Sequence, residues 1–483
     1  MDPIFGFPIT LPPPGSRELL RVLHKELRGA ILDGRLKPGL RLPATRELAG
    51  MLAISRNTVV AAYDLLLSEG YVVARRGAGN YVADTLARRD APRPSEASVD
   101  MDRRLAPHWR KSPGPFSAAP DRVFRDDFSL GVPDNTQFPF DVWRRLSARA
   151  LRTLSKSPPA YGQPEGRPAL REAIAKHISF ARAVACHADD VIVTSGAQQA
   201  FDLLARVLVT PGRSTVAVED PGYPPLRAAF AAAGANVAAV PVDDEGLVVE
   251  RLPVSARVIY VTPSHQFPLG VALSPQRRAA LLEFARAQRA VVIEDDYDGE
   301  FRYSGRPLDA LQTLDRSGSV CYVGTFSKCL FPALRLGYVV APPWLRPALA
   351  AAKQLADWHC DVLAQDTLAA FIAEGHLVRH VRKMHKVYAE RREVLLDALA
   401  RHGDGRLRAL PSEAGLHLSA RIPRSLNAEM LVARAAAEGI QLDAVGRYAL
   451  GRYAPNGLAF GFGMIAADRV DEAIRRVVML MDG

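Results

Sequence analysis

The chain has 483 residues, too many for one ordinary hydrophobic core, so two or three domains are expected. With 48% hydrophobic and 24% charged residues the composition is globular and excludes a largely disordered chain. No apolar run approaches the ~18–20 residues of a membrane span. The opening MDPIFGFPIT lacks a basic stretch followed by an apolar one, and the four scattered cysteines form no C-x-x-C pair. A cytoplasmic, non-membrane protein with reduced thiols is expected. The net charge of +10 is unevenly spread: the first 89 residues carry 13 basic and 8 acidic side chains, half of the excess in under a fifth of the chain. That segment is expected to meet a polyanion.

In chain order, SRELLRVLHKELRGAILD (16–33) sets Leu19, Leu23, Leu27, Ala30 and Ile31 on one helical stripe, with Ser16 placed to cap it. Thr45 can cap a short helix ending near Leu52. A tight turn follows through Ala53 and Ile54, and Ser55 caps a further helix to about Ser68. Helix, short turn and helix is the helix-turn-helix arrangement, whose second helix offers its first side chains to base edges. Here those are Arg56, Asn57 and Thr58. YVVARRGAGNYVA (71–83) reads as two strands around a glycine-containing tip, a wing carrying Arg75 and Arg76. The stretches LPATRELA, SRNTV, SEGYVV and RRGAG resemble the GntR-type winged helix, with Ala44 where that family usually has serine. The resemblance adds Arg46 to the DNA face.

Residues 1–83 are therefore expected to form a DNA-binding domain and residues 84–121, rich in Pro, Arg, Ser and Asp, a linker. At ~3.3–3.6 Å per residue that linker would reach roughly 130 Å when extended, enough to cross a dimer. From 122 to 483, apolar runs such as VIVTS, ARVIYVTP, AVVIEDD and SVCYVGTFS alternate with helical stretches. That alternation predicts an α/β domain with a mostly parallel sheet covered on both faces.

The chemistry gathers around GTFSKCLFPALRLGY (324–338), where Lys328 follows Ser327 and precedes Arg335. A lysine that attacks a carbonyl must be deprotonated, and in pyridoxal 5'-phosphate (PLP) proteins such a lysine forms a Schiff base with the cofactor. The cofactor also needs an acid for its ring nitrogen and donors for its phosphate. AVVIEDDYDGEF (290–301) ends a strand with Asp295 for the nitrogen and Tyr297 for the phenolate oxygen. The turn Ser195-Gly196-Ala197-Gln198 opens a helix whose free N–H groups and dipole favour a phosphate. Ser327 and Arg335 would complete that cradle, and Tyr223 in EDPGYPP offers a stacking face. His265 and Gln266 in TPSHQFPLG are expected near the ring edge.

The order of YGQPEGRPALREAIA, TSGAQQA, EDPGY, TPSHQFPLG, EDDYDGEF and SKCLFPALRLGY resembles the fold-type I, class I aminotransferases. This resemblance implies PLP, a dimer, and Tyr161 reaching the phosphate of the partner subunit. A GntR-type winged helix joined by a long linker to such a domain resembles the MocR subfamily of bacterial transcription regulators. That implies a homodimer, domain-swapped and head-to-tail, that binds promoter DNA and responds to PLP or to a small amine or amino-acid effector. Aminotransferases place an arginine for the substrate carboxylate late in the chain, yet GLAFGFGMI (457–465) has none, and Arg447 and Arg452 nearby do not obviously align. Sensing rather than turnover is expected, with a working aminotransferase bearing a DNA-binding appendage as the alternative.

Overall fold

The computed structural model describes residues 9–13, 16, 18–75, 78–83, 124–156, 158, 160–304, 309–451 and 455–482. The chain separates into two compact units, Met1–Leu105 and Ala106–Gly483. The linker expected at 84–121 lies outside the described residues, as do Arg76 and Arg452.

In the first unit, α1 (Leu19–Leu32) buries the whole stripe of Leu19, Leu23, Leu27, Ala30 and Ile31. It starts later than Ser16 would place it. Glu18 flanks the helix, and Ser16 Oγ accepts the Glu18 N–H at 3.2 Å. Likewise α2 (Thr45–Met51) has Ala44, not Thr45, at its flank. Glu47 reaches back to accept the Ala44 N–H at 3.3 Å, so a carboxylate in the first turn satisfies an otherwise free donor and suits the helix dipole. Ala53 then turns the chain with φ 51, and Ser55 caps α3 (Arg56–Ser68) by accepting the Asn57 N–H at 3.2 Å. Strands β1 (Val72–Arg75) and β2 (Gly79–Val82) pair antiparallel, with Val72 opposite Val82. Leu27, Leu48, Val59, Tyr63, Leu66 and Val82 share one core. The buried Tyr63 hydroxyl donates to the Pro43 carbonyl at 3.0 Å, fastening the chain before α2 onto α3.

The second unit opens with β3 (Asp126–Asp127), α4 (Phe140–Leu154) and α5 (Pro168–Arg182). There follow β4 (Val191–Thr194), α6 (Ala197–Leu208), β5 (Thr215–Asp220), α7 (Pro224–Ala232), β6 (Asn236–Asp243) and β7 (Gly246–Leu247). Next come β8 (Ala256–Val261), α8 (Pro275–Gln288), β9 (Val291–Asp296), β10 (Val320–Thr325) and β11 (Gly337–Val340). Among the described residues β4 to β11 form an eight-stranded sheet in the order β4-β11-β10-β9-β8-β5-β6-β7, and β3 pairs elsewhere, with Ile440–Gln441. The central pairs β10–β9, β9–β8, β8–β5 and β5–β6 are parallel, while β11 runs against both of its neighbours. Consecutive residues of β9 enter different cores, Val292 with Leu281 on one face and Ile293 with Phe201 on the other. Both faces are therefore covered, which is why the strands read as unbroken apolar runs. The long helix His376–His402 and the helix Ala467–Met479 pack through Leu395, Leu399, Ile474 and Val477 beside a four-stranded antiparallel sheet that includes His417–Arg421 and Gly457–Gly461. Among the described residues no helix is long and apolar enough to cross a membrane.

Removing the α3 cap with Ser55→Ala is expected to cost about 1 kcal/mol of first-unit stability. Leu27→Ala, at a site with no solvent exposure, is expected to cost about 2–5 kcal/mol. Urea titrations of each variant followed by circular dichroism check both values and their order.

Candidate functional site

The first unit presents its expected DNA residues to solvent. Arg46, Arg56 and Asn57 are exposed and Thr58 is half-buried at the start of α3. Arg56 Nε donates to Thr45 Oγ1 at 3.4 Å, linking the beginnings of α2 and α3. On the wing, the Arg75 guanidinium lies over the Tyr81 ring, 4.5 Å from its centroid. Arg41 joins this face although no motif marks it. An isolated bridge to Tyr81 brings it to the wing, and a side chain at Gly79 (φ +100) would meet its Nε at 3.4 Å. The unit's ion pairs belong to Arg21, His24, Arg28 and Arg35. Among the described residues none reaches Arg41, Arg46, Arg56 or Arg75, so four cations stay open to a polyanion.

In the second unit, the sheet order places the carboxyl ends of β4, β10, β9, β8 and β5 along one edge, where open α/β sheets bind ligands. Lys328 follows β10. Its Nζ donates to the Gly131 carbonyl at 2.6 Å, and a side chain at Gly131 (φ +66) would meet that nitrogen at 2.7 Å. Burial holds the Lys328 ammonium below its ordinary range, against the charges of Asp298 and Asp295, and Arg335 adds to the lowering. A depressed amine is the state a nucleophilic lysine needs.

The three acids closing β9 divide by face. Glu294 accepts from the Leu311 and Gln312 N–H groups, and Asp296 is paired with Arg182 at 2.6 Å. Asp295 alone belongs with Lys328. One carboxylate oxygen, Oδ2, accepts from Tyr260 at 2.7 Å, while the other, Oδ1, is buried without a partner. Burial, with Asp296 and Asp298 nearby, pushes its pKa up to about 7 although the Tyr260 bond works the other way. Tyr260 was missed by sequence reasoning because a tyrosine inside ARVIYV looks like core filling. The β8–β9 pairing sets Tyr260 beside Ile293, and from there its hydroxyl reaches the acid.

The turn before α6 lies against Arg335. Gly196 has φ +79, and a side chain there would meet the Arg335 guanidinium at 2.7 Å, so glycine is what lets the cation rest on the turn. Arg335 Nη2 donates to the Ser195 carbonyl at 2.9 Å. Ser195 differs from expectation in one respect: its N–H is taken by Gln199 Oε1 at 2.8 Å. Gly196, Ala197 and Gln198 thus present the turn's remaining backbone donors, while the Gln198 side chain turns away to the Pro225 carbonyl at 3.2 Å. Ser327 is buried, its Oγ accepting from Thr325 Oγ1 at 3.0 Å. Tyr223, after β5, packs edge-on against Phe267 at 5.5 Å. Burial pushes its hydroxyl up to about 12, with Asp295 adding to the rise.

Two expected residues are engaged by protein groups. Tyr297 donates to the His265 carbonyl at 3.1 Å. His265 is itself buried between Asp298, 2.9 Å from Nδ1, and Ser412, 3.2 Å from Nε2. His265, Asp298 and His417 each bring a ligand-type atom within 4.8 Å of one another, and the His265–Asp298 contact is the closest polar link within that group. Tyr161 stands apart from this group. It is 76% exposed and packs on Trp358 with ring centroids 4.3 Å apart.

The bacterial regulatory proteins, gntR family, match residues 21–82, and aminotransferase class I and II matches residues 125–450. Over 463 residues the chain is 37% identical to the probable rhizopine catabolism regulatory protein MocR of Rhizobium meliloti, covering 94% of this chain and 92% of that protein. The chain belongs to the MocR group of GntR-type transcription regulators. It is also 33% identical to the HTH-type pyridoxine biosynthesis transcriptional regulator PdxR of Corynebacterium glutamicum, across 94% of each. Among solved structures, Pyrococcus horikoshii kynurenine aminotransferase in complex with PMP superposes with a TM-score of 0.69 at 29% identity, covering 75% of this chain and 91% of that one. This MocR-group chain is therefore a DNA-binding transcription regulator whose second unit has the fold-type I aminotransferase fold.

The raised Asp295 pKa has a signed consequence. The folded protein holds this proton up to about pH 7, whereas the unfolded chain releases it near the ordinary aspartate value of 3.8. Its contribution to stability is present below about pH 4 and is lost as pH climbs through about 7. Asp295→Asn removes that loss, so the cofactor-free variant should gain in melting temperature on the wild type between about pH 5 and about pH 8. Thermal melts of both proteins across that range check it.

Proposed function

We propose that the second unit holds PLP at Lys328 and reports the cofactor, or an amine that reacts with it, to the winged helix. The observation that carries this reading is Asp295 Oδ1, a buried acceptor with no protein partner beside a buried lysine. A protonated pyridine nitrogen would supply the missing donor and restore the carboxylate charge that burial disfavours. Arg335, Ser327 and the N–H groups of Gly196, Ala197 and Gln198 would hold the phosphate, the Tyr223 ring would cover the cofactor face, and Tyr297 and His265 would line its edge. When bound, the cofactor supplies an aldehyde that exchanges between the lysine amine and an incoming amine. The open Tyr161 ring supports a homodimer in which it reaches the partner subunit's phosphate site, with the expected domain-swapped, head-to-tail arrangement. Effector binding shifts such a dimer only through a difference in affinity between its states.

Catalytic turnover is the second reading, favoured by 29% identity over 357 residues to aromatic-amino-acid aminotransferase 1 of Thermococcus litoralis. Against it, the strand Gly457–Gly461 (GLAFG) is buried throughout and contributes no arginine for a substrate carboxylate. Repeated conversion of a keto acid by purified protein would favour turnover; a single half-reaction, or none, favours the sensor.

Adding PLP to purified protein is expected to raise a visible absorption band that borohydride bleaches, and Lys328→Ala is expected to lack it. Identical spectra for both proteins would remove the cofactor from Lys328. On duplex DNA from the region upstream of its own gene, Arg56→Ala is expected to weaken binding by about 1–3 kcal/mol and to reduce the salt slope by about one. Unchanged affinity and slope would move the recognition helix elsewhere.

A further inference from the structure

Among the described residues, two buried side-chain atoms without a hydrogen-bond partner belong to groups whose charge state Lys328 influences: Asp295 Oδ1 and His417 Nδ1. The cofactor's ring nitrogen answers the first. Nothing in the proposed cofactor site answers the second.

His417 is fully buried at the start of the strand His417–Arg421. Its Nε2 lies 3.1 Å from the Pro268 carbonyl oxygen. A carbonyl only accepts, so Nε2 carries the ring proton and donates it, and a neutral imidazole then has a bare acceptor at Nδ1. Burial, helped by His265 and Lys328, holds His417 well below the ordinary histidine range, so a second proton does not fill the gap. A buried acceptor left without a donor forfeits its hydration with nothing in return, and such atoms in native structures usually have a reason.

The surroundings say what kind of donor fits. The Phe267 ring lies 5.6 Å from His417, and the Tyr297 ring is stacked on it at 6.5 Å. The polar groups nearby are the Pro268 carbonyl and the Asp298 carboxylate, both acceptors, and the His265 ring, whose centroid lies 4.4 Å away and whose two nitrogens are taken up by Asp298 and Ser412. The strand paired with His417, Gly457–Gly461, brings no cation, and Arg447 is already held by Asp443 at 3.0 Å. A ligand carboxylate at this wall would set lone pair against lone pair. A hydroxyl or amino group would complete it.

We propose that His417 selects the effector, its Nδ1 accepting a hydrogen bond from a hydroxyl or amino group of a small primary amine bound beside Lys328, so that amino alcohols are preferred over amino carboxylates of the same length. This rests on the cofactor assignment at Lys328.

The test uses the full chain loaded with PLP, titrated with propanolamine and separately with β-alanine, each read from the cofactor's visible band. Propanolamine is expected to act at ~10-fold lower concentration than β-alanine, a difference of about 1.4 kcal/mol. His417→Phe keeps a ring but removes the acceptor, and the Pro268 carbonyl still has Ser419 Oγ at 2.7 Å. This variant is expected to raise the propanolamine half-saturation roughly 3–10-fold and to leave β-alanine no weaker. His417→Asn, whose amide oxygen can stand near Nδ1, is expected to keep part of the preference. If the Phe variant loses its band, the Asn variant decides, and a preference lost there overturns the proposal. β-Alanine acting as well as propanolamine on the wild type, no response to either amine, or an unchanged ratio in His417→Phe also overturns it. A wild type without a band would instead sink the cofactor assignment, and this proposal with it.

Discussion

A parallel sheet gathers the carboxyl ends of strands that are far apart in sequence along one edge, and the second unit depends on that constraint. Ser195, Tyr223, His265, Asp295 and Lys328 come from five segments spread over more than a hundred residues, and each follows or closes a strand of the same sheet. The backbone of these strands is used up in the ladder and their side chains are buried on both faces. Polar chemistry is therefore expressed at the ends, where the ladder stops and loops begin. What the edge then does is set by which buried groups find partners within the protein. Glu294 and Asp296 find theirs on one face of β9, and Asp295 keeps one oxygen free.

Several buried groups near this edge resist ionisation. Burial pushes Glu219 up to about 7 even though Thr262 donates to it at 2.6 Å, and Asp295 rises to a similar value. At neutral pH such acids sit near the balance between charged and neutral forms. A bound cation or ring N–H can then settle the charge at modest cost. The first unit follows the opposite rule: Arg41, Arg46, Arg56 and Arg75 are exposed, and among the described residues no carboxylate pairs with them, which leaves them open to phosphate.

Much of this was legible in the sequence because it rests on local rules. The stripe of α1, the Ser55 cap, the alternation of strands and helices and the placing of Asp295 at a strand end follow from periodicity and capping chemistry. The MocR-group resemblance rests on motifs of the same short range. The helix starts near Ser16 and Thr45 fell a residue or more from where serine and threonine would place them. There Glu47, from inside the helix, supplied the bond that a flanking side chain did not. Partners distant in sequence stayed hidden: Arg41 on the wing, Tyr260 behind Asp295, the Gly131 carbonyl on Lys328 and the Pro268 carbonyl that fixes the His417 tautomer. Each is a long-range hydrogen bond or bridge, and no period or motif encodes those.

The reversal of β11 has a metric consequence. Because this strand runs against its neighbours, it begins at the edge where β10 ends, so the chain passes from Lys328 to Arg335 without crossing the sheet. Thr325 is registered opposite Gly337, and Gly337 opposite Thr194. The segment between the lysine and the arginine is thus a ruler clamped at both ends by strand register. One inserted residue would either bulge out of a compact turn or slide β11 against β4 and β10, turning its buried side chains to the wrong faces. The spacing between these two residues is held by the whole sheet as firmly as their identities are held by chemistry.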